Sequence, residues 1–344
     1  MTLILGLLLT SFFITAAAII PFINVLYKLK FRRLSQASSI DAFGKLTPVF
    51  NLFHKHKAGT PLGGGLLVIV VVCFLFAFIF PLLRFFGITI THIHPLAKEI
   101  NVIFFTFISF GLLGLYDDTK KLFGVTSSNF FGLRMRHKLI IQIILATIIA
   151  CMLFFDLGMQ IINIPVIGLV HLGWTYIPFA VFCIIAFANA VNVTDGLDGL
   201  AGGILMITLF ALWFLSASIL DTPLSVFISL WLGALIAFLY FNVYPARIFM
   251  GDVGALSFGA AIAVIGLLLG KIIAVAVVGG IFVLEVTSSL LQLGSKKLRG
   301  KKIIPVAPLH LWFQKIGWEE PKIVMRFWLA AIMLAVFGLW LATT

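Results

Sequence analysis

Asp and Glu together number only 12 of the 344 residues, and five aspartates stand apart from the rest. Asp117 and Asp118 are adjacent. Asp195 and Asp198 lie three apart in Asn189-Ala-Val-Asn-Val-Thr-Asp-Gly-Leu-Asp-Gly-Leu-Ala-Gly-Gly203, and Asp252 follows Gly251 in Arg247-Ile-Phe-Met-Gly-Asp. Each stands at or just beyond the end of a long apolar run, where a carboxylate is expensive. Adjacent like charges hold their protons more tightly unless a cation intervenes. Asp117 and Asp118 therefore suit a base beside a carboxylate that orients it or holds a metal. A spacing of three puts Asp195 and Asp198 on one face of a helix, and the glycines beside them admit a backbone or a ligand phosphate. A plainer reading of the same stretch is a polar loop in which Thr194 or Asp195 caps the next helix. Gly251 predicts a tight turn that presents Asp252 to a cleft, with Phe249 as a flat ring for stacking.

Cationic and hydroxyl groups accompany these acids. Lys57-Ala-Gly-Thr-Pro-Leu-Gly-Gly-Gly65 brings Lys57, Thr60 and glycine N–H groups to a helix entrance, where they suit a phosphate; Gly-Thr-Pro also begins helices for purely structural reasons. His310 can donate to a phosphate or carry a proton, or be structural. Carboxylates for a hard dication beside lysines for an anion are the composition of magnesium-assisted phosphate chemistry.

The elements that must position these groups are membrane helices. Apolar residues make up 62% of the chain, charged residues 10%, and the mean hydropathy is +1.19. Ordinary soluble domains carry about 25% charged residues. Runs of roughly 20 apolar residues span a bilayer as helices, because lipid leaves no other partner for the backbone. Ten spans are expected: Leu3–Tyr27, Leu62–Leu83, Val102–Tyr116, Leu139–Phe155, Trp174–Val191, Leu200–Ile219, Leu224–Val243, Leu256–Leu269, Ile272–Leu293 and Ile323–Leu341. The predicted class is an all-α polytopic membrane protein forming one domain over 1–344, with a small external hairpin near 160–172. The first span, long and lacking a basic leader, reads as retained. Cys73, Cys151 and Cys183 lie in apolar segments at no metal or disulfide spacing.

Basic residues set the topology. With both termini outside, the inner loops hold all of the 24 Lys and Arg residues except Arg84, Lys98 and Lys271. All five aspartates then share that inner, cytoplasmic face, which predicts an active-site cleft there. The excess of +12 is accounted for by topology and anionic lipids. No base-reading motif is present, so no nucleic-acid partner is expected.

Taken together and in order, these blocks resemble the polyprenyl-phosphate N-acetylhexosamine-1-phosphate transferase superfamily over nearly the whole chain. Gly317-Trp-Glu-Glu-Pro-Lys-Ile-Val-Met-Arg-Phe-Trp328 resembles its phospho-N-acetylmuramoyl-pentapeptide transferase branch. The resemblance implies a Mg²⁺-dependent enzyme of the bacterial cytoplasmic membrane, acting at the first membrane step of peptidoglycan synthesis. It would move phospho-MurNAc-pentapeptide from UDP-MurNAc-pentapeptide to undecaprenyl phosphate, giving lipid I and UMP, as a homodimer among membrane lipids. It implies Asp117, Asp118, Asp252 and His310 as catalytic, with Asp252 the magnesium ligand. It implies Lys57, Thr60, Lys121, Lys138, Asn192, Asp195, Gly196, Leu197, Asp198, Phe249 and Gln292 at the nucleotide and substrate, with Phe249 on the uracil. The chain departs from the pattern in two places. A run of three histidines is reduced to His310-Leu311-Trp312, and a serine after the magnesium aspartate is Ala255.

Two other functions compete with this reading. A relative using a peptide-free UDP-N-acetylhexosamine, for teichoic acid or surface polysaccharide, would tolerate the altered histidine run. A transporter would place its charges near the bilayer midplane within paired repeats; here they gather at one face and no repeat is evident. Direct attack by the lipid phosphate is expected over a covalent intermediate on an aspartate, because a metal-bound carboxylate is a poor nucleophile.

Overall fold

The computed structural model describes residues 2–32, 57, 59–85, 89–123, 133 and 135–344. Arg33, Lys45, Lys55 and Arg134, counted among the inner-loop basic residues, lie outside them. The helices are α1 (Thr2–Lys28), α2 (Gly64–Phe85), α3 (Leu96–Phe123), α4 (Met135–Cys151, extended by a π turn Met152–Asp156), α5 (Tyr176–Thr194), α6 (Leu200–Ser218), α7 (Thr222–Asn242), α8 (Gly251–Leu268), α9 (Ile272–Val278), α10 (Gly280–Arg299), α11 (Leu309–Lys315) and α12 (Glu320–Thr343). Among the described residues nine helices are long and apolar enough to cross a membrane, or ten when the bent pair α9–α10 counts as one span. Both α1 and α12 turn apolar residues such as Phe13, Ile20, Leu329 and Met333 outward, as lipid-facing helices do.

At the centre stands α8, every residue of which is buried except Asp252. It packs against α3 and α5, while α1 lies along α7. Small residues allow this close approach, since helices in lipid associate by packing rather than by water exclusion. A Cβ at Gly65 would strike the Gly254 backbone, one at Gly259 the Phe187 carbonyl, and one at Gly114 the Asp252 carbonyl. Ser257 Oγ donates to Phe107 O at 2.6 Å, linking α8 to α3.

The expected hairpin is present: β1 (Ile161–Ile164) pairs antiparallel with β2 (Gly168–His171), Ile161 opposite His171. The Asn163 amide donates to Gly270 O at 2.9 Å, which ties the hairpin to the C-terminal end of α8, opposite Asp252.

Two boundary expectations are corrected. The third span is a 28-residue helix, so Asp117 and Asp118 lie in its last turns rather than in a loop. Lys121 Nζ, one turn on, sits 3.0 Å from Asp117 Oδ2 and keeps that polar end helical. The ninth span is not one helix: α9 and α10 meet at 84° around Gly279. The physical reason lies in α10, whose Glu285, Ser288, Gln292 and Ser295 form a buried polar stripe while Leu284, Leu291 and Leu298 face outward. A straight span would have carried those polar groups into lipid.

Candidate active site

Three polar clusters meet at the end of the bundle where α8 begins. In the first, Asp252 Oδ2 accepts from Lys121 Nζ at 2.7 Å and also from Lys138 Nζ. The same lysines reach Asp117 Oδ2, Lys121 at 3.0 Å and Lys138 at 3.1 Å. Asp117 Oδ1 accepts the Leu133 amide at 2.8 Å. Asp118 Oδ2 accepts the Val253 amide at 3.1 Å, in the first turn of α8. Gly251 makes the turn possible, with φ of +79° and a would-be Cβ 2.7 Å from Asp118 Oδ2. The reading of Gly251 as the residue that presents Asp252 therefore agrees with the structure.

Lys57 belongs to the second cluster. It is buried, with Nζ 2.7 Å from Asp198 Oδ1 and 2.6 Å from Glu320 Oε1. Glu320 Oε1 also accepts the Asp198 amide at 2.6 Å, and Asp198 Oδ2 accepts the Ala246 amide at 3.0 Å. Charge-assisted bonds thus fix the Asp195–Asp198 turn to the start of α12. Glu320 was not singled out from the sequence. Its signal was there: it is an acid in the otherwise diagnostic Gly317–Trp328 block, at the N-terminal end of a helix.

The third cluster joins His310 to α10: Nδ1 lies 3.0 Å from Glu285 Oε2, and the His310 amide donates to Glu285 Oε1 at 3.1 Å. Glu285 had no legible partner in the sequence.

Other expected site residues take different positions. The Gly63, Gly64 and Gly65 amides do not cradle a free anion as they stand; they donate to Phe249 O (3.1 and 2.8 Å) and Met250 O (2.9 Å). They hold the segment after Thr60 beside Phe249, whose ring remains partly accessible. Gln292 grips the backbone, donating to Ile304 O at 2.7 Å and accepting the Ile303 and Ile304 amides at 3.1 Å. Asn192 is half-buried on the last turn of α5, while Leu197 is buried beside Gly196. Ala255 is buried within α8, among apolar neighbours that need no hydroxyl.

Asp195 ends α5 between the clusters. Burial first, then the Asp252 and Asp118 carboxylates, push its pKa up to about 7, and Lys57 opposes them. The unfolded chain gives up this proton near pH 4, so between about pH 4 and 7 the folded state binds the extra proton. Stability from this group therefore falls as pH rises through that window. Asp195→Asn removes the effect. Relative to the unsubstituted protein, its melting midpoint is expected to rise between pH 5 and pH 8; an equal difference at both would show that Asp195 does not titrate.

Among the described residues no three acidic, histidine or cysteine side chains converge on one point as a ready metal cage. The donor chemistry nevertheless fits a hard dication. Asp118 Oδ1 is buried without a hydrogen-bond partner, 4.0 Å from Lys121 Nζ, and Asp252 carries two ammonium groups where a dication would supply the same charge.

Residues 100–270 match the sequence family described as glycosyl transferase family 4. A phospho-N-acetylmuramoyl-pentapeptide-transferase of Thermodesulfovibrio yellowstonii is 36% identical over 353 residues, covering 96% of this chain and 90% of the relative. One from Bacillus pumilus is 34% identical, covering 99% and 96%. One from Rickettsia canadensis is 37% identical, covering 83% and 80%.

Proposed function

The chain belongs to the phospho-N-acetylmuramoyl-pentapeptide transferases of glycosyl transferase family 4, and from that premise we propose how it acts. It is a membrane-embedded phosphoglycosyl transferase of peptidoglycan synthesis. The donor is UDP-MurNAc-pentapeptide and the acceptor undecaprenyl phosphate. An oxygen of the lipid phosphate bonds to the β-phosphorus of the donor, the bond to the UMP oxygen breaks, and lipid I and UMP leave. The observation that carries this reading is the cluster of Asp117, Asp118 and Asp252 interleaved with Lys121 and Lys138 at the N-terminal end of α8. It supplies both anion binding and acid groups at one end of a helix bundle.

Lys121 and Lys138 draw the lipid phosphate and the diphosphate together by charge. Asp117 takes a remaining phosphate proton or positions the nucleophile. Asp252, with Asp118 behind it, would hold Mg²⁺. When bound, that ion would neutralise the diphosphate and make its phosphorus more electrophilic. Phe249 stacks on the uracil, and Asn192, Asp195, Gly196, Leu197 and Asp198 form the nucleotide side, with Thr60 at the rim and Gln292 acting from within its bonds to the Ile303 and Ile304 backbone. Lys57 acts from within its pairing to Asp198 and Glu320, holding that side in register. We place the site at the cytoplasmic face, with both termini outside and residues 1–344 as one domain. The homodimer that the resemblance implies is tested by cross-linking in native membranes.

The decisive assay follows UMP release from purified protein with undecaprenyl phosphate and Mg²⁺, comparing UDP-MurNAc-pentapeptide with UDP-GlcNAc. Release from the peptide donor alone is the expected result. Release from UDP-GlcNAc alone would move the protein to the surface-polysaccharide branch. Solute uptake with no nucleotide requirement would favour a transporter. Radiolabelled phospho-sugar trapped on the protein without lipid would replace direct attack with a covalent intermediate.

A further inference from the structure

Glu285 is fully buried on α10, just past the break at Gly279, and both its oxygens face one residue. Oε1 accepts the His310 main-chain N–H at 3.1 Å, and Oε2 lies 3.0 Å from His310 Nδ1. His310, itself buried at the start of α11, turns the opposite edge of its ring toward the Asp195-Gly196 turn. The approach is so close that a Cβ at Gly196 would overlap Nε2 and lie 3.0 Å from Cε1. A carboxylate that takes the amide and the ring of the same residue fixes both where the imidazole sits and which nitrogen carries hydrogen. Nδ1 is then the protonated atom, and Nε2 is the one aimed at the turn that carries Asp195 and Asp198. Leu311 and Trp312 follow on α11 and offer no ionisable group that could replace it.

We propose that Glu285 is a positioning residue of the transferase, holding His310 Nδ1-protonated with Nε2 against the nucleotide-side turn. The buried polar stripe of α10 acquires a purpose from this pairing. Past the bend at Gly279, Glu285 meets the start of α11, 25 residues further on. Its catalytic consequence rests on the function proposed above; the geometry of the pair does not.

The test is a double-mutant cycle on full-length protein, combined with nitrogen NMR of ring-labelled histidine. Glu285→Gln keeps the side-chain volume but loses the charge. It is expected to lower kcat by about 10- to 100-fold, the range found when a carboxylate orienting a metal-bound histidine is lost. In a His310→Asn background the same change is expected to cost less than about 2-fold, because Glu285 acts only through the ring. Losses that multiply in the double variant would overturn the proposal. The His310 resonances, identified by their absence in His310→Asn, are expected to show a protonated Nδ1 and to shift in Glu285→Gln. An unprotonated Nδ1, or a spectrum indifferent to the substitution, would also overturn it. Should Glu285→Gln fold poorly, Glu285→Asp supplies the same comparison with the charge kept and the reach shortened. The NMR readout needs no substrate, so inactivity of the unsubstituted protein with the peptide donor would sink the proposed function and leave this pairing standing.

Discussion

Asp252→Asn is expected to lower kcat for UMP release by about three orders of magnitude, within the range for loss of a group acting directly on the reacting centre. The folded protein is expected to survive. One oxygen of Asp252 receives both Lys121 and Lys138, and Asp117 is the other carboxylate on those ammonium groups. An amide cannot balance two cations. The lysines would stay free to bind the donor diphosphate, but without the acid that keeps them and the phosphorus in register. KM for the donor should therefore hold or fall while kcat collapses; a smaller folded fraction would also lower apparent kcat at unchanged KM, so the rate is taken per folded molecule. Stability should fall as well, because Lys121 and Lys138 lose a carboxylate they share; removing one partner of a buried ion pair typically costs about 3–5 kcal/mol, and less where solvent reaches the ammonium groups. Steady-state kinetics with a melting curve in detergent checks both halves. A kcat within tenfold of the unsubstituted enzyme would remove Asp252 from the reaction.

Gly114→Ala is expected to damage fold and activity together. At this position α3 and α8 touch backbone to backbone: the new Cβ would overlap the Asp252 carbonyl and lie 2.5 Å from Val253 Cα. Neither obstacle is a side chain that can rotate away. The helices must separate, and the bond from the Val253 amide to Asp118 Oδ2, now 3.1 Å, must lengthen with them. Overpacking of this kind typically costs about 1–3 kcal/mol, and about 3 is expected here because both partners are backbone. Transfer should fall by at least about tenfold in the fraction that folds, since a misplacement of reacting groups by about 1 Å can cost about a hundredfold. Gly294→Ala is the control. It lies in α10 with nothing within 4 Å of its would-be Cβ, so it should be neutral or stabilise by about 0.5–1 kcal/mol through helix propensity. Similar melting points for the two variants would refute the close contact between α3 and α8.

The sequence by itself determined the membrane class, most of the spans, the small hairpin near 160–172 and the acids of the first cluster. The reason is energetic. In a chain this apolar, a carboxylate at the end of a span is too costly to be incidental, so Asp117, Asp118 and Asp252 could be read one at a time. Gly251 was legible for a local reason, since a turn that needs positive φ beside an acid selects glycine. The tertiary structure alone decided the partners. Lys57 meets Glu320 across 263 residues of chain, Lys121 meets Asp252 across 131, and His310 meets Glu285 across 25. No local preference encodes such pairings. They follow from how closely helices approach at Gly65, Gly114 and Gly259, and from a break at Gly279 that an apolar run conceals. The same packing turned the glycine amides of the first loop onto Phe249 and Met250, where the sequence had suggested an anion cradle. Residue types announced which groups were expensive enough to matter; only the close packing of helix backbones determined which of them stand face to face.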